Sequence, residues 1–181
     1  KWGLAIGTFL VYALIVGGGS FSGIATLIVG GPMTLGLALF SLSIARNQEA
    51  RLEQLFKGFN NFGTSLGAYL LMIIFVLLWT ILLIIPGIIA AISYAMTFFI
   101  IADNPSIGSM EAIDKSKKMM YGYKWKFFCL ILRFLGWAIL CLFTLGLGFF
   151  ILKPYMEISF AKFYDDIKGS QEAEEALATD M

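Results

Sequence analysis

The amino-acid sequence predicts an all-α integral membrane protein: a six-helix transmembrane bundle, built as three helical hairpins with cytoplasmic amphipathic interfacial helices. Two observations predict this class. The chain is 59% apolar and 14% charged, whereas soluble domains are about half apolar and a quarter charged. Its charges are also segregated, because none lies between Lys1 and Arg46 or between Lys57 and Asp103. We therefore expect the lipid bilayer to be its main partner.

The boundaries of the passes follow from the length of helix that crosses a bilayer. A hydrocarbon core about 30 Å thick needs roughly 20 apolar residues. The long uncharged stretches exceed this length and are broken by glycine, or by proline and glycine, which favour turns. Residues 1–168 are expected to form the transmembrane domain, and residues 169–181 an acidic cytoplasmic tail that is solvated or frayed. The expected passes are 2–18, 24–45, 66–85, 87–102, 126–147 and 149–164.

The last two passes have the weakest pattern, because they include Arg133, Lys153 and Glu157. The final pass is also short, so an alternative topology has five passes and a last helix in the membrane interface. A cleaved signal peptide is not expected, since the first apolar run continues into the second. A chain that begins at Lys1 instead of Met is expected to have lost its native beginning.

The positions of basic residues predict the orientation, since Lys and Arg collect in cytoplasmic loops. The loops 46–61 and 103–126 are rich in these residues, whereas the turns at 17–23, 86–87 and 146–148 contain none. We therefore expect both termini to lie in the cytoplasm.

Two cytoplasmic segments are expected to form amphipathic helices on the membrane. In residues 46–62, apolar residues recur at helical spacing opposite Glu53 and Lys57. A second helix over residues 105–120 is expected to be capped near Asp103. Its apolar stripe is expected to lie in the headgroup boundary and consists of Ile107, Met110, Ile113 and Met120.

The spacing of three alanines suggests that one structural unit occurs three times. Ala45, Ala102 and Ala161 each end an inward-directed pass, at separations of 57 and 59 residues. Each copy would comprise a helical hairpin and an interfacial helix. The alternative is three hairpins that share only the constraints of the membrane.

Several short motifs occur in an ordered series along the chain. They include Gly31-Pro32, Ile84-Ile85-Pro86-Gly87-Ile88, Ser93-Tyr94-Ala95-Met96, Ala102-Asp103-Asn104-Pro105, Gly136-Trp137 and Pro154-Tyr155. Together they resemble the bacterial integral membrane family catalogued as domain of unknown function 975, over nearly the whole chain. The resemblance implies a multi-pass protein of the bacterial cytoplasmic membrane with no established reaction. A more distant similarity is to the membrane domain of some glycerophosphodiester phosphodiesterases.

Arg133 and Glu157 form the first candidate site, an intramembrane polar pair. An unpaired charge at the bilayer centre costs about 2.5 to 3.5 kcal/mol, so Arg133 should be paired, hydrated or directed to the interface. Glu157 lies on the expected partner helix and could meet it. A structural ion pair is the favoured interpretation, and a polar spot on a substrate pathway is the alternative. Arg133 also departs from the family pattern, in which a small polar residue is more usual.

A cluster of lysines in the loop 103–126 is the second candidate site, and anionic lipid headgroups are its expected ligand. Each lysine near an anionic leaflet contributes about 1 kcal/mol. The alternative is that these lysines only set the topology. Nucleic-acid binding is not expected, because the chain has no basic domain. The lysine cluster consists of Lys115, Lys117, Lys118, Lys124 and Lys126.

Enzymatic chemistry has little support in the sequence. The chain contains no histidine, which removes the commonest general base and every His-ligated metal site. We expect no catalytic residue, cofactor or metal site. The expected function is that of a non-catalytic accessory or lipid-interacting membrane protein. The alternative is a small transporter or permease-like subunit with a polar path near Arg133 and Glu157; a membrane-protein partner and the oligomeric state stay open.

Overall fold

A computed structural model describes residues 3, 6–12, 23–82, 84–143 and 148–179. Every regular element within these ranges is helical, so the predicted all-α class is confirmed. Residues 6–12 are helical. The helices that follow are α1 (Gly23–Ala45), α2 (Gln54–Lys57), a 3-10 turn (Gly58–Asn61), α3 (Phe62–Leu82), α4 (Ile84–Tyr94), α5 (Thr97–Asp103), α6 (Ser109–Met119), α7 (Lys124–Phe143) and α8 (Phe149–Thr179).

Three of the described segments are long and apolar enough to cross a membrane, namely Ile28–Ala45, Gln54–Ile81 and Ile84–Asp103. Large apolar side chains also cover the outer surface; Ile81, for example, is 77% exposed. A continuous exposed apolar surface is unfavourable in water and is matched by lipid. These features indicate a membrane protein. Helices α7 and α8 are not among the three segments, and both contain charged residues within their apolar stretches.

The turn between the expected third and fourth passes lies earlier than predicted. Helix α3 ends at Leu82 and α4 begins at Ile84, so Pro86 and Gly87 lie in the first turn of α4. Proline is tolerated there, because its missing N–H has no intrahelical acceptor in the first turn. A Cβ on Gly87 would meet Thr80 of α3. Gly87 therefore permits α3 and α4 to pack closely at this position. It does not form the turn between them, because α4 has already begun at Ile84.

The segment expected to form the fourth pass is two helices, not one. Helix α4 ends at Tyr94 and α5 begins at Thr97, so Ala95 and Met96 interrupt the segment. The Thr97 hydroxyl donates to the Tyr94 carbonyl at 2.8 Å across the interruption. Irregular backbone at membrane depth is tolerated where protein buries it or where it lines a cavity.

Helix α6 begins later than predicted, and its apolar stripe packs on the protein. Gly108, and not Asp103, precedes its first residue. The Ser109 hydroxyl donates to Thr64 O in α3, and the Ser116 hydroxyl donates to the carbonyl at position 93 in α4, both at 2.9 Å. The expected headgroup location is wrong for three of the four stripe residues. The buried three are Ile107, Ile113 and Met120, whereas Met110 is 51% exposed.

The segment that follows α1 folds back along the middle of that helix. The expected single surface helix over 46–62 is instead α2 and a 3-10 turn. Leu55 is fully buried. A Cβ on Gly36 would collide with the Leu55 backbone, and one on Gly58 with the Pro32 backbone. The two glycines therefore allow backbone to contact backbone where the segments cross.

Helix α8 continues much further than expected. It passes through Pro154 and reaches Thr179, so the tail expected to be solvated or frayed from residue 169 is helical and not frayed, and most of its described side chains are exposed. About half of the expected first pass, over 2–18, and most of the external turns expected at 17–23 and 146–148 lie outside the described residues.

Candidate functional sites

The C-terminal ends of α1 and α5 meet α8 at a group of polar residues that the sequence did not predict. Arg46 Nη1 donates to Asp103 Oδ1 at 2.7 Å, and its Nη2 donates to Asp165 Oδ1 at 2.6 Å. Asp103 Oδ2 also accepts hydrogen bonds from Lys168 Nζ at 2.8 Å and Tyr164 Oη at 3.1 Å. We call these five residues the charge cluster.

Charges within the charge cluster balance each other and are partly shielded from solvent. The Asp103 side chain is 13% exposed and that of Arg46 is 32% exposed. Hydrogen bonds that Arg46 donates to Asp103, and secondly to Asp165, raise the pKa of its guanidinium above the ordinary value, although burial opposes this shift. Arg46 therefore stays charged, and its forked donors fix the direction of both carboxylates. No group of three His, Cys, Asp or Glu among the described residues is arranged to hold a metal ion.

The charge cluster joins positions that are equivalent in the proposed three-fold repeat. Arg46 and Asp103 are 57 residues apart, which is the spacing between Ala45 and Ala102. Ala161 is fully buried, and the other two alanines pack against the same core. The sequence signal that could have revealed the contact between Arg46 and Asp103 was that these residues have opposite charges and occupy equivalent positions in two copies of the repeat.

The structure places Arg133 and Glu157 in separate cavities. Arg133 is exposed on α7 and lines one cavity with Tyr155 and Ser159. Glu157 lines another cavity, formed by α1, α4, α5, α7 and α8, which we call the Glu157 cavity. Among the described residues, no ion pair joins the two side chains. The expected intramembrane polar pair is therefore not brought together.

The Glu157 cavity has a volume of about 440 Å³ and mostly apolar walls. Its polar side chains are those of Glu157 and Thr34, whose hydroxyl already donates to the Gly30 carbonyl of its own helix at 2.7 Å. The interruption between α4 and α5 also faces the cavity, because Ala95 and Met96 line it. Aromatic side chains form much of the remaining wall: Phe98, Phe99, Phe127, Phe128 and Phe160.

The lysine cluster lies on the outer surface of α6 and at the start of α7. Four of its members are exposed and Lys124 is partly buried. None of the five forms an ion pair with a carboxylate in the described part of the chain. Lys126 Nζ lies 5.1 Å from the centroid of the Tyr123 ring. Large exposed side chains accompany the lysines, namely Met110, Tyr121 and Trp125.

Comparison with known proteins gives one match. The family model described as "Protein of unknown function (DUF975)" matches residues 80–171, which are 92 of the 181 residues. Searches of curated proteins and of solved structures found no match. The similarity to the membrane domain of glycerophosphodiester phosphodiesterases is not shown and stays a prediction. The matched region includes both Glu157 and the lysine cluster.

Proposed function

Because the chain belongs to the DUF975 family of proteins of unknown function, which assigns no activity, we propose from its geometry that it is a non-catalytic, lipid-interacting membrane protein. Its cytoplasmic face binds anionic headgroups through the lysine cluster. The observation that carries this proposal is the group of lysines on α6 and at the start of α7, four of them exposed and none with a carboxylate partner among the described residues. We further propose that the bilayer is the bacterial cytoplasmic membrane.

The packing of α6 against the rest of the protein supports lipid binding by its lysines. Ala112, Ser116 and Met119 bury one side of the helix, while Lys115 and Lys118 project from the other. A helix already held by tertiary contacts presents its charges with little further loss of conformational entropy on binding. The headgroup contact therefore does not need the apolar stripe that the sequence suggested for it.

Exposed aromatic residues next to the lysine cluster support the same location. Tyr121 is 83% exposed and Trp125 is 72% exposed. Amphipathic rings of this kind collect at membrane interfaces, where one edge contacts apolar chains and the other contacts water. Lysines at this level would meet lipid phosphates.

Six passes with both termini in the cytoplasm are part of the proposal. Its support is the charge cluster, to which α1 and α5 bring their C-terminal ends and α8 brings Asp165. Helices α1 and α5 both end at the charge cluster, so each needs a preceding segment that returns the chain. On this proposal α3 is the segment before α4 and α5, and α7 is the corresponding segment before α8. The third would be the expected first pass.

Reporter fusions along the chain test this topology. We expect cytoplasmic signals after residues 60, 120 and 170, and external signals after residues 20, 83 and 147. An external signal after 170, with the other five as expected, would contradict six passes and favour the alternative with five.

The lysine cluster is tested by the triple substitution of Lys115, Lys117 and Lys118 with Gln. We expect the full-length variant to retain less anionic lipid than the parent, by about fivefold for each lysine, because each contributes roughly 1 kcal/mol. Native mass spectrometry of protein released from mixed anionic and zwitterionic nanodiscs gives the ratio of bound lipids. The difference should shrink as salt is raised, since exposed charges are screened.

A variant with the same loss of charge elsewhere controls for net charge. Arg51, Lys57 and Lys162 are exposed basic residues outside the lysine cluster, and their triple substitution with Gln should leave lipid selectivity close to that of the parent. Equal anionic lipid retention by the parent and the lysine-cluster variant at low salt would refute headgroup binding and leave the lysines with a role in topology.

A transporter or permease-like subunit is the second candidate, and the Glu157 cavity is the observation that favours it. Interrupted membrane helices line the substrate sites of several transporters, and Ala95 and Met96 of the α4–α5 interruption line this cavity. On this proposal Glu157 alone marks the polar site, because Arg133 lines a different cavity.

A further inference from the structure

We propose that the Glu157 cavity binds an organic cation with an apolar body. The inference deepens the second candidate function by naming the class of ligand, and binding itself does not require transport. Three features carry it: the unpaired carboxylate, the aromatic wall and the interrupted helix.

The Glu157 carboxylate faces the cavity without a cationic partner. It makes no hydrogen bond or ion pair to any described residue. Lys153, one turn earlier, interacts with it electrostatically, but Lys153 Nζ lies over the ring of Phe9, 5.6 Å from its centroid. Glu157 is partly buried, and a carboxylate among apolar walls is costly to keep charged unless it is paired or takes up a proton. A bound cation would supply that pairing.

The aromatic wall suits the same ligand. Five phenylalanines line the Glu157 cavity, and the faces of aromatic rings attract cations within about 6 Å. The cavity volume of about 440 Å³ lies in the range of roughly 300 to 1,000 Å³ that is typical of sites for small organic ligands. An apolar ligand body would fill this space while its charge met Glu157.

The interruption between α4 and α5 makes room beside the carboxylate. Ala95 lies in the interruption, and Ala38 of α1 and Ala91 of α4 also line the cavity. Short side chains leave space that larger ones would fill. A neutral lipid chain in this space would leave Glu157 unpaired, and an anion would be repelled by it. We therefore expect the cavity to bind a cation more tightly than a neutral lipid chain or an anion.

Two probes of nearly the same shape and opposite charge test the inference. Tetraphenylphosphonium is a cation with an apolar aromatic body, and tetraphenylborate is its anionic counterpart. Equilibrium dialysis of the purified full-length chain in zwitterionic detergent, with empty micelles as the blank, measures the binding of each. We expect saturable binding of tetraphenylphosphonium at one site and no saturable binding of tetraphenylborate.

Substitutions at Glu157 identify the site. Glu157→Gln should weaken tetraphenylphosphonium binding at least about tenfold, because one partner of a desolvated charge pair is removed. Glu157→Asp keeps the charge and should restore part of the affinity. Glu172→Gln makes the same change of charge at an exposed position of the same helix and should bind like the parent. Monodisperse elution of all three variants shows that they fold.

The binding results separate the inference from transport. Equal affinity of the parent and Glu157→Gln, or equal binding of both probes, would overturn the cation site. Uptake of tetraphenylphosphonium into proteoliposomes, above the leak of empty vesicles and of Glu157→Gln, is expected if the protein is a transporter. Glu157-dependent binding without such uptake keeps the cation site and refutes the second candidate function for this ligand class.

Discussion

Replacing Gly36 with Ala should lower the free energy of unfolding by about 3 kcal/mol or more, because overpacking is most costly where backbone meets backbone. A Cβ at this position would overlap the backbone of Leu55. A rigid backbone cannot rotate away as a flexible side chain does, so α2 would have to move off α1. Leu55, which is fully buried, would then lose its contacts. Gly58→Ala, which meets the Pro32 backbone at the same crossing, should have a similar effect.

Thermal unfolding of the purified protein in detergent measures this effect. Gly136→Ala is the matched control, because no atom lies within 4 Å of a Cβ added at that position in α7. Alanine in an open helical position should be neutral or stabilising, by up to about 1 kcal/mol. If Gly36→Ala unfolds at the same temperature as Gly136→Ala, α2 does not pack along the middle of α1.

Apolar periodicity predicted the positions of the helices more reliably than it predicted whether lipid or protein contacts their apolar faces. The spacing of Ile107, Ile113 and Met120 indicated one apolar face, and all three are buried, although Ile107 and Met120 lie just outside the two ends of α6. Periodicity alone does not distinguish a face that lipid covers from one that protein covers. The distinction depends on which helices are neighbours, and here α6 packs on α3, α4 and α5. For the same reason, the surface helix expected over 46–62 placed its apolar residues on the membrane, whereas one of them, Leu55, is fully buried by protein.

Polar residues within the passes were recognised, but their partners were not. Arg133 and Glu157 lie at similar depths in the expected last hairpin, yet the rotation of each helix about its own axis directs them into different cavities. Sequence spacing gives depth, and tertiary packing sets this rotation. The charge cluster was missed because Asp103 was interpreted as a helix cap, whereas its carboxylate binds Arg46 and Lys168.

Asp103→Asn should lower the free energy of unfolding by about 2 to 3 kcal/mol, since it removes a hydrogen-bonded, partly buried charge. Asn keeps the shape of the side chain but leaves Lys168 without its carboxylate and Arg46 with only Asp165. The expected loss is below that of a fully buried pair, because the Arg46 side chain is 32% exposed. Asp165→Asn should cost less, because among the described residues the Asp165 carboxylate accepts side-chain hydrogen bonds from Arg46 alone.

The exposed pair of Arg51 and Glu49 provides a matched control for Asp103→Asn. Its atoms are 2.9 Å apart, a distance like those in the charge cluster, but the side chains are 67% and 83% exposed. Arg51→Gln should therefore change stability by no more than about 0.5 kcal/mol. A double-mutant cycle of Arg46→Met and Asp103→Asn should give a coupling of about 1 to 2 kcal/mol. If Asp103→Asn costs no more than Arg51→Gln, the charge cluster does not hold α1, α5 and α8 together, and the packing of apolar residues such as Ala161 does so alone.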